Sequence, residues 1–194
     1  RWYCSEKRWG VAMRRLLADW AMLVAQVDII YRVGGRIDRL GAEPSKEEYE
    51  AAVAEVVALV TATPFKHLAD AHRLTLNPTF GWCSLAVGGA DADLISGTRL
   101  IDLKTASAPF LERAMVRQLV GYFLLYRLQT EGSKKSLFTV ESLEIYLARF
   151  ATFGRIASAD LLGHPAFAET ERWFRANVVC HDSRSALERH RRSA

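Results

Sequence analysis

Two aspartates and a lysine stand close together in the segment GGADADLISGTRLIDLKTAS, residues 88 to 107. Asp102 and Lys104 are two positions apart, so on a β-strand both side chains leave the same face. Asp93 lies directly opposite Asp102 if the hairpin loop has an even number of residues, either Gly-Thr or Ser-Gly-Thr-Arg. A three-residue loop without a bulge places Asp93 on the other face. Asp91 shares the parity of Asp93 and is expected either at the strand edge or supporting the site from behind, with a role as a metal ligand in place of Asp93 as the alternative.

Two neighbouring carboxylates repel each other, and burying them is unfavourable unless a cation lies between them. Mg²⁺ and Mn²⁺ suit this role, because they accept one or two carboxylates together with water and phosphate oxygens. Lys104 is then expected to orient or help deprotonate an attacking water and to hold the phosphate. The three residues therefore predict metal-dependent cleavage of phosphodiester bonds. The alternative is a salt-bridged hairpin on a solvent-facing sheet, where such pairs contribute little.

Composition sets broader limits on the class of protein. The chain has 194 residues, half of them hydrophobic, which suits one compact domain with a sizeable core. A formal charge of +4 and a pI near 9.1 permit nucleic-acid binding without requiring it. Cys4, Cys83 and Cys180 form no C-x-x-C pair, so a disulfide framework, a zinc ribbon and an iron–sulfur cluster are not expected. Scattered thiols favour a reducing, cytoplasmic location.

The order of the elements indicates how the chain is organised. Residues 1–76 are predicted to be a helical region packed on the core, residues 77–180 the core itself, and residues 181–194 a basic tail for which disorder is expected. The apolar run LLADWAMLVAQVDIIY is interrupted by charged residues, so we expect a buried helix and no membrane span. Ser45 and Glu48 form a capping box at the start of a second helix that ends before Pro64.

From Asn77 onward the chain is predicted to form strands and long helices. WCSLAVGGADADLI and RLIDLKTA are predicted strands, and PFLERAMVRQLVGYFLLYRLQ is a predicted helix. SLEIYLARF is a predicted strand, GRIASADLL a strand or a strand leading into a helix, and HPAFAETERWFRANV the last helix. This pattern is typical of an α/β domain with a mixed sheet of about four or five strands flanked by helices.

The long helix adds two polar residues, Gln118 and Tyr122, which are four apart and share one helix face. Together, the motifs ADADLI, LIDLKT and QLVGY resemble the PD-(D/E)XK nuclease superfamily, in particular its RecB-like and Cas4-like branch. The resemblance covers roughly residues 78 to 126. It implies a restriction-endonuclease-like core with Lys104 as the catalytic lysine. It also implies that Gln118 and Tyr122 support the site and contact DNA.

The resemblance further implies a set of metal ligands. Asp93 and Asp102 would bind Mg²⁺ or Mn²⁺ through their carboxylates, and Leu103 through its backbone carbonyl. The branch also carries an upstream Glu or His ligand on a helix, for which Glu55, inside AAVAEVVALV, is the first choice. The other candidates are Glu48, His67 and His72. The iron–sulfur cysteines of many Cas4-like proteins are absent.

These observations favour a divalent-metal-dependent nuclease that hydrolyses DNA and acts in DNA repair, restriction or phage defence. Arg113 and Arg117, one turn apart on the long helix, are expected either to bind phosphates or to be solvated. The alternative function is a catalytically inactive relative that binds nucleic acid or serves as a scaffold. RNA is not excluded as substrate, because no motif recognises a 2′-hydroxyl. In a chain of this length, specificity is expected to come from a protein partner, from sequence upstream of Arg1 or from a homo-oligomer.

Overall fold

The structure is a computed structural model, and it describes residues 10–32, 44–68, 73–132 and 138–179. The chain divides into two compact units, Arg1–Pro64 and Phe65–Ala194. The predictions for the basic tail 181–194, for His72 and for two of the three cysteines fall outside the described residues.

The first unit consists of helices α1 (Val11–Arg32) and α2 (Lys46–Ala62). The predicted capping box at the start of α2 is confirmed. The Ser45 hydroxyl accepts a hydrogen bond from the Glu48 backbone N–H, and the Glu48 carboxylate accepts one from the Ser45 N–H. Arg15 joins the two helices by donating to both carboxylate oxygens of Glu50, at 2.7 and 2.9 Å.

Helix α1 differs from its prediction, because most of its large apolar side chains are exposed. Trp20 is 58% exposed and Val24 62%, whereas Ala18 is buried. The expectation of a buried helix is therefore wrong for its described side chains. The periodicity is helical, but among the described residues of this unit only Ala18 of α1 and Val53 of α2 are buried. No described helix has both the length and the hydropathy needed to cross a membrane.

The second unit is mixed α/β, with five strands and five α-helices within its described residues. In chain order these are α3 (Phe65–Leu68), β1 (Leu74–Leu76), α4 (Trp82–Ala86), β2 (Leu94–Ser96), β3 (Arg99–Lys104), α5 (Arg113–Gly132), β4 (Ser142–Leu147), β5 (Thr152–Ala157), α6 (Ser158–Gly163) and α7 (Phe167–Phe174). A 3₁₀ turn, Ala148–Phe150, follows β4, and a π-helical turn, Arg175–Val179, follows α7. The predicted strand-to-helix transition is confirmed as β5 and α6.

The strands form one mixed sheet in the order β1-β2-β3-β4-β5. All neighbouring pairs are antiparallel except β3 and β4, which are parallel. A parallel pair needs a crossover connection, and the 20-residue helix α5 lies in this one. The five-stranded mixed sheet flanked by helices agrees with the predicted α/β class.

The two faces of the sheet have different surroundings. On the helix face, Leu100 and Ile145 belong to one buried cluster with Leu119 and Phe123 of α5. Asp102 and Lys104 share this face, because alternate residues of β3 point the same way. On the opposite face, Ile101 packs in a smaller cluster. Helix α5 therefore lies over the strand that carries the predicted catalytic residues.

Two elements before the hairpin differ from their predictions. Trp82–Ala86, predicted as strand, forms the short helix α4. The Ser84 hydroxyl accepts a hydrogen bond from the Phe80 N–H at 2.7 Å, and the Cys83 N–H donates to the Phe80 carbonyl, which close the chain into a turn. Strand β1 lies before residue 77, in the stretch predicted to be helical. It has three residues, so it carries too little periodicity to be recognised, and it forms by pairing with β2.

Candidate active site on the helix face of the sheet

The β2–β3 hairpin brings Asp93 and Asp102 together. Its loop has two residues, Gly97 and Thr98, because Ser96 pairs with Arg99. Leu94 pairs with Ile101, and Asp93, in the bend directly before β2, is close enough to Asp102 for its carboxylate to raise the pKa of Asp102. The shorter of the two even-numbered loops considered from the sequence is therefore the one observed. Gly97 has a φ of 62°, which glycine adopts without strain.

The side chain of Asp93 is fixed by the backbone of β3. Its Oδ2 atom accepts a hydrogen bond from the Leu103 N–H at 2.5 Å. The segment that carries Asp93 is held in turn, since the Asn77 N–H donates to the Asp93 carbonyl at 2.9 Å. Two residues earlier, Asp91 forms an isolated bridge with Thr79 and is exposed, as expected for the strand edge. The hairpin and the chain beside β1 thus hold Asp93 over β3.

Asp102 is a buried carboxylate, 1% exposed, beside a lysine. Its Oδ2 atom lies 2.8 Å from the Lys104 Nζ, but the geometry is not that of a hydrogen bond and this oxygen has no other partner in the described structure. Burial raises the pKa of Asp102, the Lys104 ammonium counteracts the rise, and the nearby Asp93 carboxylate adds to it. A buried acid whose charged form is disfavoured in this way is typical of a functional site.

Helix α5 connects Lys104 to two further side chains. The Lys104 ammonium donates a hydrogen bond to Gln118 Oε1 at 2.9 Å, and Gln118 Nε2 donates to the Tyr122 hydroxyl at 2.7 Å. Burial raises the pKa of Tyr122, the hydrogen bond from Gln118 lowers it, and Asp102 and Asp93 raise it further. The structure therefore brings five of the predicted residues into one network of contacts.

Arg113 and Arg117 lie near the start of α5, on the side of the sheet that bears Lys104. Both side chains are exposed, and neither makes an ion pair or hydrogen bond with the described part of the chain. The N-terminus of a helix carries partial positive charge, to which these guanidinium groups add. Glu112 directly before them offsets one of the two charges, so this end of α5 keeps a net positive charge that attracts phosphate.

The candidates for an upstream ligand lie in different surroundings. Glu55 is exposed on α2 in the first unit and stays a prediction. The Glu48 carboxylate is engaged in the capping box. His67 Nε2 lies 3.6 Å from Oε2 of Glu144, which is on the opposite face of the sheet from Asp102.

The donor set of the hairpin suits a hard divalent cation. Asp93 and Asp102 offer carboxylate oxygens, and Oδ2 of Asp102 is a buried acceptor without a hydrogen bond. In the described ranges no three His, Cys, Asp or Glu side chains converge as a metal site. An ion here would therefore take its remaining ligands from the Leu103 carbonyl, water and substrate, which Mg²⁺ tolerates well.

Glu144 is a buried charge that the sequence analysis did not identify. It is 1% exposed on β4, beside Ile101 on the opposite face of the sheet. Arg155 Nε lies 3.0 Å from Glu144 Oε1, and Arg99 Nη1 lies 3.4 Å from Glu144 Oε2. A lone acid in the apolar strand SLEIYL was the available signal, but its partners are far away in the sequence. This cluster joins β3, β4 and β5 and is separate from Asp102.

Comparisons with known proteins add no family to these observations. No protein-family model matches the chain, and no curated protein or solved structure matches it either. Two carboxylates and an ammonium group on one face of a sheet can bind a cation and a phosphate group side by side. The indications of a function therefore come from the contacts of Asp93, Asp102 and Lys104 themselves.

Proposed function

We propose that this protein is a divalent-metal-dependent nuclease that hydrolyses phosphodiester bonds in DNA. The observation that carries the proposal is the convergence of Asp93, Asp102 and Lys104 at the β2–β3 hairpin. A buried acid beside a second carboxylate is unfavourable in the isolated chain, and a doubly charged ion relieves the repulsion. A hairpin with only a structural role gains little from this arrangement.

The chain's own residues divide the work of the proposed reaction. Asp93 and Asp102 hold Mg²⁺ or Mn²⁺, which when bound stabilises the negative charge that develops on the phosphate. The Lys104 ammonium has three N–H donors. One is donated to Gln118 and another faces Asp102. The third is available to a phosphate oxygen or to the attacking water.

Helix α5 supplies the support for Lys104 and further contacts with the substrate. Gln118 orients the ammonium group, and the Tyr122 hydroxyl holds the Gln118 amide in place. Arg113 and Arg117, one turn apart at the start of α5, bind phosphates of the substrate strand. These contacts are to the backbone of the nucleic acid, so they give affinity without sequence specificity.

The proposed fold relationship is to the restriction-endonuclease-like core of the PD-(D/E)XK superfamily. Three features support it: the mixed sheet, the D-x-K residues on β3, and the helix crossover from β3 to β4 that carries Gln118 and Tyr122. Within such a family the cytoplasmic roles that fit are DNA repair, restriction and defence against phage. A protein partner or a second copy of the chain would supply specificity.

The test is cleavage of plasmid and linear DNA in the presence of Mg²⁺, Mn²⁺ or a chelator. We expect cleavage that the chelator abolishes and that Lys104→Ala abolishes without loss of folding by circular dichroism. Lys46→Ala is the matched control, because Lys46 is an exposed lysine at the start of α2. If the wild-type protein binds no Mn²⁺ and cleaves neither DNA nor RNA, the proposal fails and the inactive nucleic-acid-binding scaffold takes its place. Cleavage of RNA alone would correct the substrate.

A further inference from the structure

The loop between β3 and α5 places an aromatic residue beside the proposed active site. The loop follows Lys104 directly and ends where α5 begins, at Arg113. Phe110, near its end, is 62% exposed, the largest exposed fraction of any aromatic side chain among the described residues. Its neighbour Pro109 restricts the backbone. An exposed phenylalanine in this position can bind a ligand that has an apolar face.

The next residue, Leu111, anchors the loop on the sheet. A Cβ atom built on Gly154 of β5 would lie 2.5 Å from Leu111 Cδ1, so the leucine side chain occupies the space above this glycine. Gly154 pairs with Ile145, which pairs with Asp102. Because neighbouring strands lie about 4.8 Å apart, Leu111 is roughly 10 Å from Asp102 across the helix face. Phe110 is therefore held at the rim of the site.

The charge pattern around Phe110 indicates which part of a nucleic acid it meets. The loop sequence from Thr105 to Leu111, TASAPFL, contains no charged residue. Lys104 stands before it, and Glu112, Arg113 and Arg117 stand after it, so the net charge of these flanking residues is positive on both sides. Phosphates are thus attracted to both ends of the loop, whereas its middle offers an aromatic ring. A base of the same strand has the apolar surface that such a ring can stack on.

We propose that Phe110 stacks on an unpaired base next to the scissile phosphate, so that single-stranded DNA is the preferred substrate. This inference rests on the proposed nuclease function. Within a duplex both faces of a base are covered by its neighbours, and exposing one requires unstacking. A strand that is already unpaired presents its bases to Phe110 without this cost.

The experiment compares single-stranded and duplex oligonucleotides of one sequence with Mn²⁺. We expect Phe110→Ala to lower kcat/KM for the single strand about tenfold, the size of one lost stacking contact, and to leave the duplex value unchanged. Phe110→Trp should retain the wild-type preference. Trp173→Ala is the control, because Trp173 on α7 is 59% exposed and outside the loop. Equal losses on both substrates, or no loss, would overturn the inference while the nuclease activity stands.

A binding measurement without metal separates this inference from the proposed function. Fluorescence anisotropy in chelator gives the affinity for a labelled single strand, and Phe110→Ala should weaken it about tenfold. The same strand with abasic sites should bind both proteins equally, because no base remains to stack. A loss that persists on the abasic strand would overturn stacking. If the wild type cleaves nothing and Phe110→Ala still weakens binding of the intact strand alone, the nuclease proposal fails while base stacking on Phe110 stands.

Discussion

The Lys104 ammonium nitrogen lies 2.8 Å from Oδ2 of Asp102, an oxygen that is buried and accepts no hydrogen bond. The attraction of Lys104 lowers the pKa of Asp102, but burial has the larger and opposite effect. Burial and the Asp93 carboxylate together keep the pKa of Asp102 above its ordinary value. When this carboxyl group is charged, it lowers the stability of the folded protein. Its proposed role as a metal ligand explains why the chain keeps it, and the loss of stability can be measured.

We predict that Asp102→Asn raises the free energy of unfolding at neutral pH in the absence of metal. The folded protein keeps the Asp102 proton at pH values where the unfolded chain has already released it. The free energy of unfolding therefore falls as the pH rises from about 4 to the pKa of Asp102 in the folded protein, and it stays low at higher pH. Asparagine has no charge and avoids this loss. Urea denaturation at pH 4 and pH 8 should show the advantage of the variant at pH 8 and a smaller one at pH 4. A less stable variant at pH 8 would mean that attraction to Lys104 outweighs burial.

Asp93 accepts a hydrogen bond from β3 and is proposed to bind the metal, and a pair of substitutions separates these two roles. Asp93→Asn keeps an oxygen that can accept the Leu103 N–H, so we expect near-normal stability. The affinity for Mn²⁺ should fall at least tenfold, because losing even a residue that only supports a metal ligand has an effect of this size. Asp93→Ala also leaves that N–H unpaired and should cost about 1–2 kcal/mol more. Isothermal titration calorimetry and urea denaturation provide the two measurements. Asp91→Asn is the control, and an equal loss of Mn²⁺ affinity there would exclude a specific role for Asp93.

The Tyr122 hydroxyl should matter for turnover rather than for substrate binding. Tyr122→Phe removes the acceptor of the Gln118 amide, so Gln118 is free to rotate away from Lys104. Losing one such hydrogen bond, worth about 1 kcal/mol, should lower kcat about fivefold and leave KM nearly unchanged. Tyr126→Phe is the matched control, because the Tyr126 hydroxyl accepts the Val140 N–H away from the site. Equal effects of the two variants on kcat would indicate a general effect on α5.

Local patterns predicted the parts of this structure that depend on neighbouring residues. The capping box of α2 is confirmed, and so is the same-face placement of Asp102 and Lys104, because both follow from short spacings. The opposition of Asp93 and Asp102 was conditional on loop length, which the sequence left open between two even-numbered loops. The predicted roles of Asp93, Asp102, Leu103, Glu55 and Lys104 in metal binding and catalysis stay predictions.

Contacts between distant segments were not predictable in the same way. Trp82–Ala86 has the apolar composition of a strand, but the bond from the Phe80 N–H to the Ser84 hydroxyl makes it a helix. Parallel pairing of β3 with β4 joins residues about forty positions apart, and no short pattern encodes it. For the same reason Glu144 could not be recognised as buried and paired, since its arginine partners are on other strands.

Glu144 provides a test of how independent the two faces of the sheet are. Glu144→Met removes the carboxylate beside Arg99, whose side chain is only 13% exposed and keeps hydrogen bonds to the His67 carbonyl and the Ser96 hydroxyl. A largely buried charge without its counterion should cost about 3 kcal/mol in urea denaturation. Adding Arg99→Met removes that charge, so the double variant should be more stable than Glu144→Met alone. Arg155 needs no substitution, because its side chain is 57% exposed and can be solvated. Both variants should bind Mn²⁺ like the wild type wherever they are folded, since Glu144 lies on the face away from Asp102. Loss of Mn²⁺ affinity in the folded double variant would show that the Glu144 cluster helps to position the hairpin carboxylates.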